Sequence, residues 1–414
     1  MLPVFSSPDL RSCLQKTGQT ALTAVLSGTA GAFFLWSLDA VTRVHFNHPW
    51  LLWCLPGIGL AVAYLYQKVG GSAEGGTGLI LDEIHAPGGG VPARMAPLIL
   101  LGTLATHLGG GSAGREGTAL QMGGSLAGAV AKWSKIPQAH YPGLLMAGVA
   151  SGFGAVFGTP WAGAVFAVEV LRHRSGRLRE WPWCLGAAWL ADRVCRGWGA
   201  EHALWLRTEG FPLGEVMLWG KVALAALCFG LAAKIFVIGM HFFQGALKRW
   251  VPSVLLRPVI GGLGVIGLVF ACGTRDYLGL GTLSTTPGGL TLTTFLHDGT
   301  VTDGAAWAWK LGFTLMTVGS GFKGGEVTPL LFIGAALGHS LGGVLGIPPG
   351  GLAALGMVAV LGAAARTPAA CLLMGVELFG PGLVLPLALS CGGAALMNQR
   401  SLYHPSLPAL GKKG

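Results

Sequence analysis

Residues 109–129 read GGGSAGREGTALQMGGSLAGA, and inside that run Gly114-Arg115-Glu116-Gly117-Thr118 sets an ionisable pair between apolar segments. A charged side chain at membrane depth costs roughly 3 kcal/mol or more on insertion scales, which marks it first as a functional residue. The flanking glycines let the backbone turn sharply and leave amide N–H groups facing inward. A helix that begins at Glu116 or Gly117 would aim its positive dipole end into the gap. That is an anion site with a titratable carboxylate beside it. Protonated, Glu116 is neutral and can sit in an ion pathway; ionised, it competes with an anion for the same space. The alternative is a structural Glu–Arg pair that holds two helices together.

A second run, Gly325-Glu326-Val327-Thr328-Pro329, offers a hydroxyl and adjacent N–H groups at another helix start, a setting that suits a small, hard anion. Thr328 as a plain N-cap is compatible with that role. Glu326 reads either as a second titratable group or as a partner for Lys323. Thr77, in a first glycine-rich loop, is a further hydroxyl or an ordinary turn residue. Tyr403 is an interfacial aromatic or a phenol aimed at the site. Glu169 and Glu377 recur at matching positions and point to a shared structural task, such as pairing with Arg172 or Arg366. The GxGxxG match at Gly262–Gly267 follows no strand and reads as a helix-packing face. No phosphate loop, HExxH or nucleophile elbow is present, and His107 with Asp82 and Glu83 forms no nucleophile–base or metal set. An enzyme is not expected, nor a metal or cofactor.

The elements that must position these residues are apolar. Of 414 residues, 52% are hydrophobic and 11% charged, with a mean hydropathy of +0.62. Soluble domains carry about 25% charged residues, so the chain reads as an all-α, polytopic membrane protein. The eight cysteines are scattered, without CxxC pairing, and read as small core residues. The first nineteen residues are mixed in polarity and lack an A-x-A-like end, so a cleaved signal peptide is not expected. The net charge of +10 is spread over loops rather than gathered in a basic patch, so nucleic acid is not an expected partner.

Apolar segments are expected at about 20–39, 50–67, 96–108, 118–131, 143–152 and 160–171, several too short to cross a core roughly 30 Å thick. Short pieces divided by Gly or Pro are the mark of broken helices that line a site. Loops 172–179 and 248–257 are basic and are separated by two crossings, at about 183–199 and 215–241. Both then face the same, cytoplasmic side. Setting Gly114 on Gly325, an offset of 211, aligns GREGT with GEVTP and Gly123 with Gly334. Thr159-Pro160 and Thr367-Pro368 are each followed by a glutamate nine residues after the proline. Two such matches in the same order indicate duplication, and the expected organisation is one transmembrane domain over 1–414. Within it lie a first inverted repeat at 20–200 and a second at 215–403.

GREGT followed by QMGG, GFKGGEVTPLLFIGAALG and ASGFGAVFGTPWAGAVFAVE together resemble the CLC family of chloride channels and anion/proton exchangers. The resemblance runs from about residue 20 to Tyr403 and implies no cytoplasmic regulatory domain. Thr118 stands where the family has the proline of GREGP, Val327 stands in place of the aromatic of GxFxP, and no GSGIP-like serine loop precedes LDEIHAP. GREGT with QxGG, VPARM after DEIHAP, and GGEVTP look like the fluoride-exporting branch. The resemblance implies that Glu116 is the gating, proton-carrying glutamate and that Tyr403 coordinates anion from the inner side. It puts Thr77 near the inner-loop serine, has Gly117, Val327 and Thr328 line the site, and makes Glu326 part of the branch motif. The internal proton glutamate of chloride exchangers would follow Glu169, where this chain has Val170. A homodimer with one pore per subunit is implied as well. The expected function is fluoride/proton antiport in a bacterial cytoplasmic (inner) membrane, in contact with lipid; the alternative is a chloride channel or chloride/proton exchanger of the same family.

Overall fold

The computed structural model describes residues 10–171, 175–202, 211, 214–284, 289–297, 303–398 and 400–403. These residues form α-helices and short 3-10 turns without a strand; the one β-like contact is an isolated antiparallel bridge. The first eight helices are α1 (Leu10–Asn47), α2 (Leu55–Val69), α3 (Gly76–His85), α4 (Met95–Leu108), α5 (Glu116–Trp133), α6 (Tyr141–Phe157), α7 (Pro160–Glu169) and α8 (Trp181–Gly197). The next eight are α9 (Val216–Trp250), α10 (Leu256–Cys272), α11 (Leu292–Leu296), α12 (Ala306–Val318), α13 (Val327–Leu345), α14 (Pro349–Ala365), α15 (Pro368–Phe379) and α16 (Val384–Met397).

The breaks follow from Pro and Gly. Pro142, Pro160 and Pro368 stand in the first turn of α6, α7 and α15, where a missing N–H costs nothing. Gly158 and Gly346 close α6 and α13 in the left-handed conformation, at φ +72° and +62°. Among the described residues, four segments are long and apolar enough to cross a membrane: Cys13–Asn47, Pro49–Val69, Val216–Trp250 and Val327–Leu345. Other apolar helices among the described residues are shorter, Met95–Leu108 and Tyr141–Phe157 among them. Phe242, Phe270 and Leu101 point outward as large exposed apolar side chains, as lipid contact requires. The chain is a multi-pass membrane protein.

Two helices make the centre. Every residue of α6 from Pro142 to Phe157 and of α14 from Gly350 to Ala365 is buried, so both are apolar all round rather than on one stripe. Against them lie α5 and α13, crossing so closely that a methyl group cannot fit. A Cβ built on Gly123 would stand 2.1 Å from the carbonyl oxygen of Gly148, and one on Gly334 would stand 2.1 Å from that of Gly356. Gly123 and Gly334 are themselves one of the aligned pairs, so the same glycine-on-glycine crossing occurs twice.

Glu169 and Glu377 take a structural task. The carboxylate of Glu169 accepts from the amides of Ala369 (3.1 Å) and Ala370 (2.8 Å) at the start of α15. That of Glu377 accepts from Trp161 (3.1 Å) and Ala162 (2.9 Å) at the start of α7. Each glutamate at the end of one helix thus caps the other helix, satisfying amides that a helix leaves open at its first turn. Arg172, one arginine proposed as partner, lies outside the described residues. Expected boundaries moved as well: α1 runs well beyond 20–39 at both ends, because polar residues beyond the apolar stretch continue the helix (Arg43 pairs with Asp39 one turn back, at 2.7 Å), and α9 runs past 241 to Trp250.

Candidate functional site

The two glycine-rich runs meet. The amide of Gly114 donates to the carbonyl of Gly325 at 2.5 Å, and Gly325 donates back to Gly114 at 2.8 Å. The approach needs glycine: a Cβ on Gly325 would stand 2.7 Å from the amide nitrogen of Gly117, and one on Gly114 would stand 2.9 Å from that of Thr328. Joined in this way, the starts of α5 and α13 face one another at the bridge, and two sets of open first-turn amides and two positive dipole ends converge there.

Glu116 is the first residue of α5 and is 2% exposed. Its Oε2 accepts from the Thr328 hydroxyl (2.5 Å), the Thr328 amide (3.1 Å) and the Arg115 amide (3.1 Å). One carboxylate oxygen therefore takes three donors, two of them from the opposite half of the chain. The Arg115 guanidinium reaches Oε1 only at 3.4 Å and stays partly exposed, so the ion pair lies within one loop and does not join two helices. Donors gathered at a point, in a dry setting, are what an anion needs.

Around this point the other expected residues fall as follows. Gly117 lies under Gly325, where a side chain would stand 3.0 Å from its Cα, and Val327 is the buried first residue of α13. Glu326 is the N-cap residue of α13. Lys323, its possible partner, instead sets its ammonium 4.0 Å from the centre of the Tyr66 ring. The hydroxyl of Tyr403 is buried without a hydrogen-bond partner, its ring is edge-on to Phe166 of α7, and Glu326, Cys371 and Glu116 are within electrostatic reach of it. Thr77 is not brought to the carboxylate. It sits in the first turn of α3, where its hydroxyl accepts from Gln121 at 3.3 Å, and Gln121 lies about one and a half turns along α5 from Glu116.

The loop that carries Glu116 is fastened from behind. Thr118, at the family's proline position, shares a 2.7 Å hydrogen bond with Thr103 of α4, a tie that proline could not make. Ser112 shares a hydrogen bond with Thr314 (3.1 Å), and its amide donates to Thr317 (3.0 Å), both on α12. His107 meets the Thr103 and Ala113 carbonyls at 2.9 and 3.1 Å. Both of its ring nitrogens thus meet backbone carbonyls, and the carboxylate of Glu83 accepts from the amides of Gly88 and Gly89.

A cavity of about 300 Å³ reaches this site and is lined by Arg115, Glu116, Thr328, Thr282, Glu201 and His202 among others. Two residues near it escaped sequence reasoning. Lys310 of α12 is fully buried, its ammonium donating to the carbonyls of Tyr277 (3.0 Å) and Gly279 (2.8 Å) beside the Phe332 ring. A lysine inside an apolar run was the available signal. His202 had none, since its role depends on which helix ends surround it.

A family model described as "Voltage gated chloride channel" matches residues 58–399. A "Chloride/fluoride channel protein" of Pseudomonas syringae pv. tomato is 41% identical over 92% of this chain and 84% of its own length. The solved structure of "a CLC-type fluoride/proton antiporter" superposes with a TM-score of 0.90 at 30% identity, over 96% of this chain and 98% of that one. An H(+)/Cl(-) exchange transporter of Klebsiella pneumoniae is 27% identical over 92% of this chain and 84% of its length.

Proposed function

Because the chain belongs to the voltage-gated chloride channel (CLC) family, and to its fluoride branch, we propose that it is a fluoride/proton antiporter that exports cytoplasmic fluoride. The observation that supports this reading most is the single Glu116 oxygen with three donors on it. A carboxylate oxygen and a fluoride ion want the same thing, several short N–H and O–H donors in place of water. When Glu116 takes a proton it weakens as an acceptor, and the Thr328 hydroxyl and amide and the Arg115 amide become available to the anion. When the anion leaves, the ionised glutamate returns. Proton and fluoride thereby alternate at one place, which is the requirement for exchange.

In this reading Glu116 gates the path and carries the proton, and Gly117, Val327 and Thr328 line the anion site. Tyr403, with its free buried hydroxyl, meets the anion from the inner side. Glu326 is a neighbouring titratable group, and Thr77 acts through Gln121 at the periphery. Val170, in place of a second carboxylate after Glu169, means that protons do not follow the chloride-exchanger route. The halves 20–200 and 215–403 serve as inverted repeats of one domain, and two copies form a homodimer with one pore each. Placed in a bacterial cytoplasmic membrane with its basic loops inside, the protein uses the membrane potential twice. Fluoride out and H⁺ in both move positive charge inward, about 4.6 kcal/mol per 100 mV for one-for-one exchange.

Flux from proteoliposomes tests the reading. Fluoride efflux coupled to proton movement, with chloride much slower, is expected; chloride that moves as readily as fluoride would establish a chloride channel or exchanger instead.

A further inference from the structure

The cavity that reaches Glu116 contains a second titratable group with an open valence. His202 follows α8, outside the membrane-spanning segments, and its side chain is 5% exposed. Its Nε2 lies 2.7 Å from the carbonyl oxygen of Ala155. A carbonyl can only accept, so Nε2 carries the hydrogen and, in the neutral ring, Nδ1 is a bare lone pair. That Nδ1 is buried and has no hydrogen-bond partner. The nearest carboxylate, Asp192 of α8, is 3.8 Å away and already holds the Arg196 guanidinium at 2.9 and 3.0 Å. The ring cannot easily turn to relieve this, because Gly158, in the left-handed conformation at the end of α6, lies against it; a Cβ there would stand 2.7 Å from the ring Cγ.

Buried lone pairs are normally satisfied, and one left open beside a site calls for an explanation. A histidine that served only to peg the end of α6 would need Nε2 alone. Here the second nitrogen is open, next to a carboxylate that would stabilise the imidazolium, on a residue that lines the cavity shared with Glu116 and Thr328. Glu201, exposed and on the same cavity, adds a negative charge where solvent is met.

We propose that His202 is the proton-loading residue on the outer side: Nδ1 takes a proton from the external medium and returns it, through the cavity, to the Glu116 carboxylate. This rests on the antiporter reading and extends it. The charged groups that face His202 among the described residues are Asp192 and Arg196 of α8, Arg115 before α5, and its neighbour Glu201. Burial, with help from Arg196 and Arg115, holds the ring below the ordinary imidazole range, and Asp192 opposes that shift. At neutral pH the ring is therefore uncharged and Nδ1 is ready as a base. The proton balance is simple: one H⁺ leaves water for Nδ1, then leaves Nδ1 for Glu116, and His202 returns to its starting form.

The test uses bacterial cells that lack other fluoride exporters, are loaded with fluoride, and express the full chain, because all copies then present the same face to the medium. Fluoride release and the accompanying alkalinisation of the medium are followed as external pH is varied. H202Q retains a donor for the Ala155 carbonyl but has no base at the Nδ1 position. It should slow proton uptake about tenfold near pH 7, a modest relay contribution, with the deficit closing in acid medium as protons reach Glu116 directly. D192N should move the midpoint of the wild-type external-pH profile to lower pH without abolishing exchange. A wild-type profile in H202Q, or a loss equal at every external pH, overturns the proposal. If H202Q does not assemble, an unchanged midpoint in D192N overturns it. Wild-type cells that release fluoride with no proton movement would instead overturn the antiporter reading itself.

Discussion

The side chains of Glu116 and Thr328, 212 residues apart in the chain, are joined by a 2.5 Å hydrogen bond across the meeting point of two helix starts. The bond crosses from one half of the chain to the other, and beside it Gly114 and Gly325 exchange backbone hydrogen bonds. A carboxylate and the donors that converge on it thus lie at a junction that neither half can make alone.

Glu116→Gln tests the carboxylate. Glutamine matches its shape but cannot carry a proton as an acid. Proton movement driven by a fluoride gradient should fall about 100-fold or more, to the level of empty vesicles, consistent with loss of an acid–base group. Undiminished acidification in the variant would remove Glu116 from the proton path.

Thr328→Val deletes the hydroxyl and retains the amide. Loss of one hydrogen bond to a charged acceptor is worth about 1.5–3 kcal/mol, or about 10- to 100-fold in fluoride affinity. Thr328→Ser should restore most of it. Half-saturation of fluoride efflux is the quantity to follow, and equal values for Val and Ser would show that only the amide matters.

The exchanged caps give a paired prediction. Glu377→Ala strips two acceptors from the start of α7, and Glu169→Ala does the same to α15. Each should cost about 1–2 kcal/mol, the usual value of a lost N-cap, and lower the melting temperature of the purified protein. The two losses should be similar, since the geometry is the same at both ends; a large drop in one with none in the other would contradict the equivalence.

Gly123→Ala and Gly334→Ala each drive a methyl group into a carbonyl oxygen, that of Gly148 or Gly356. Backbone must move in response, at about 1–3 kcal/mol for an overpacked contact. Gly57→Ala, which meets nothing within 4 Å, is the control. Folded yield and thermal stability of the three variants side by side would show whether close crossing, rather than loss of glycine itself, is responsible.

Much of this was legible in the chain. Glycines before Glu116 and Val327, with apolar runs behind them, mark two helix starts, and the starts fall at Glu116 and Val327. The matched glycines Gly123 and Gly334 were also visible, because a crossing that excludes a methyl group requires glycine at each. Less legible were the ends of α1 and the split of 50–67 into a 3-10 turn at Pro49–Cys54 followed by α2. Hydropathy reports the environment of a residue, and neither a helix that outruns the apolar zone nor a break inside it changes that environment.

By itself the sequence determined the class of the molecule, the two helix starts and the acid that stands at one of them. Those depend on residue type and local order, on how much apolar surface must be hidden and where the backbone can turn. Only the tertiary structure decided that Thr328 donates to Glu116, that Glu169 and Glu377 trade caps, that Thr77 belongs to Gln121, and that His202 opens a lone pair beside the cavity. Each of these is a contact between residues distant in the chain. A hydrogen bond depends on position to within tenths of an ångström, and that position is set by how the helices pack together, not by the spacing of letters.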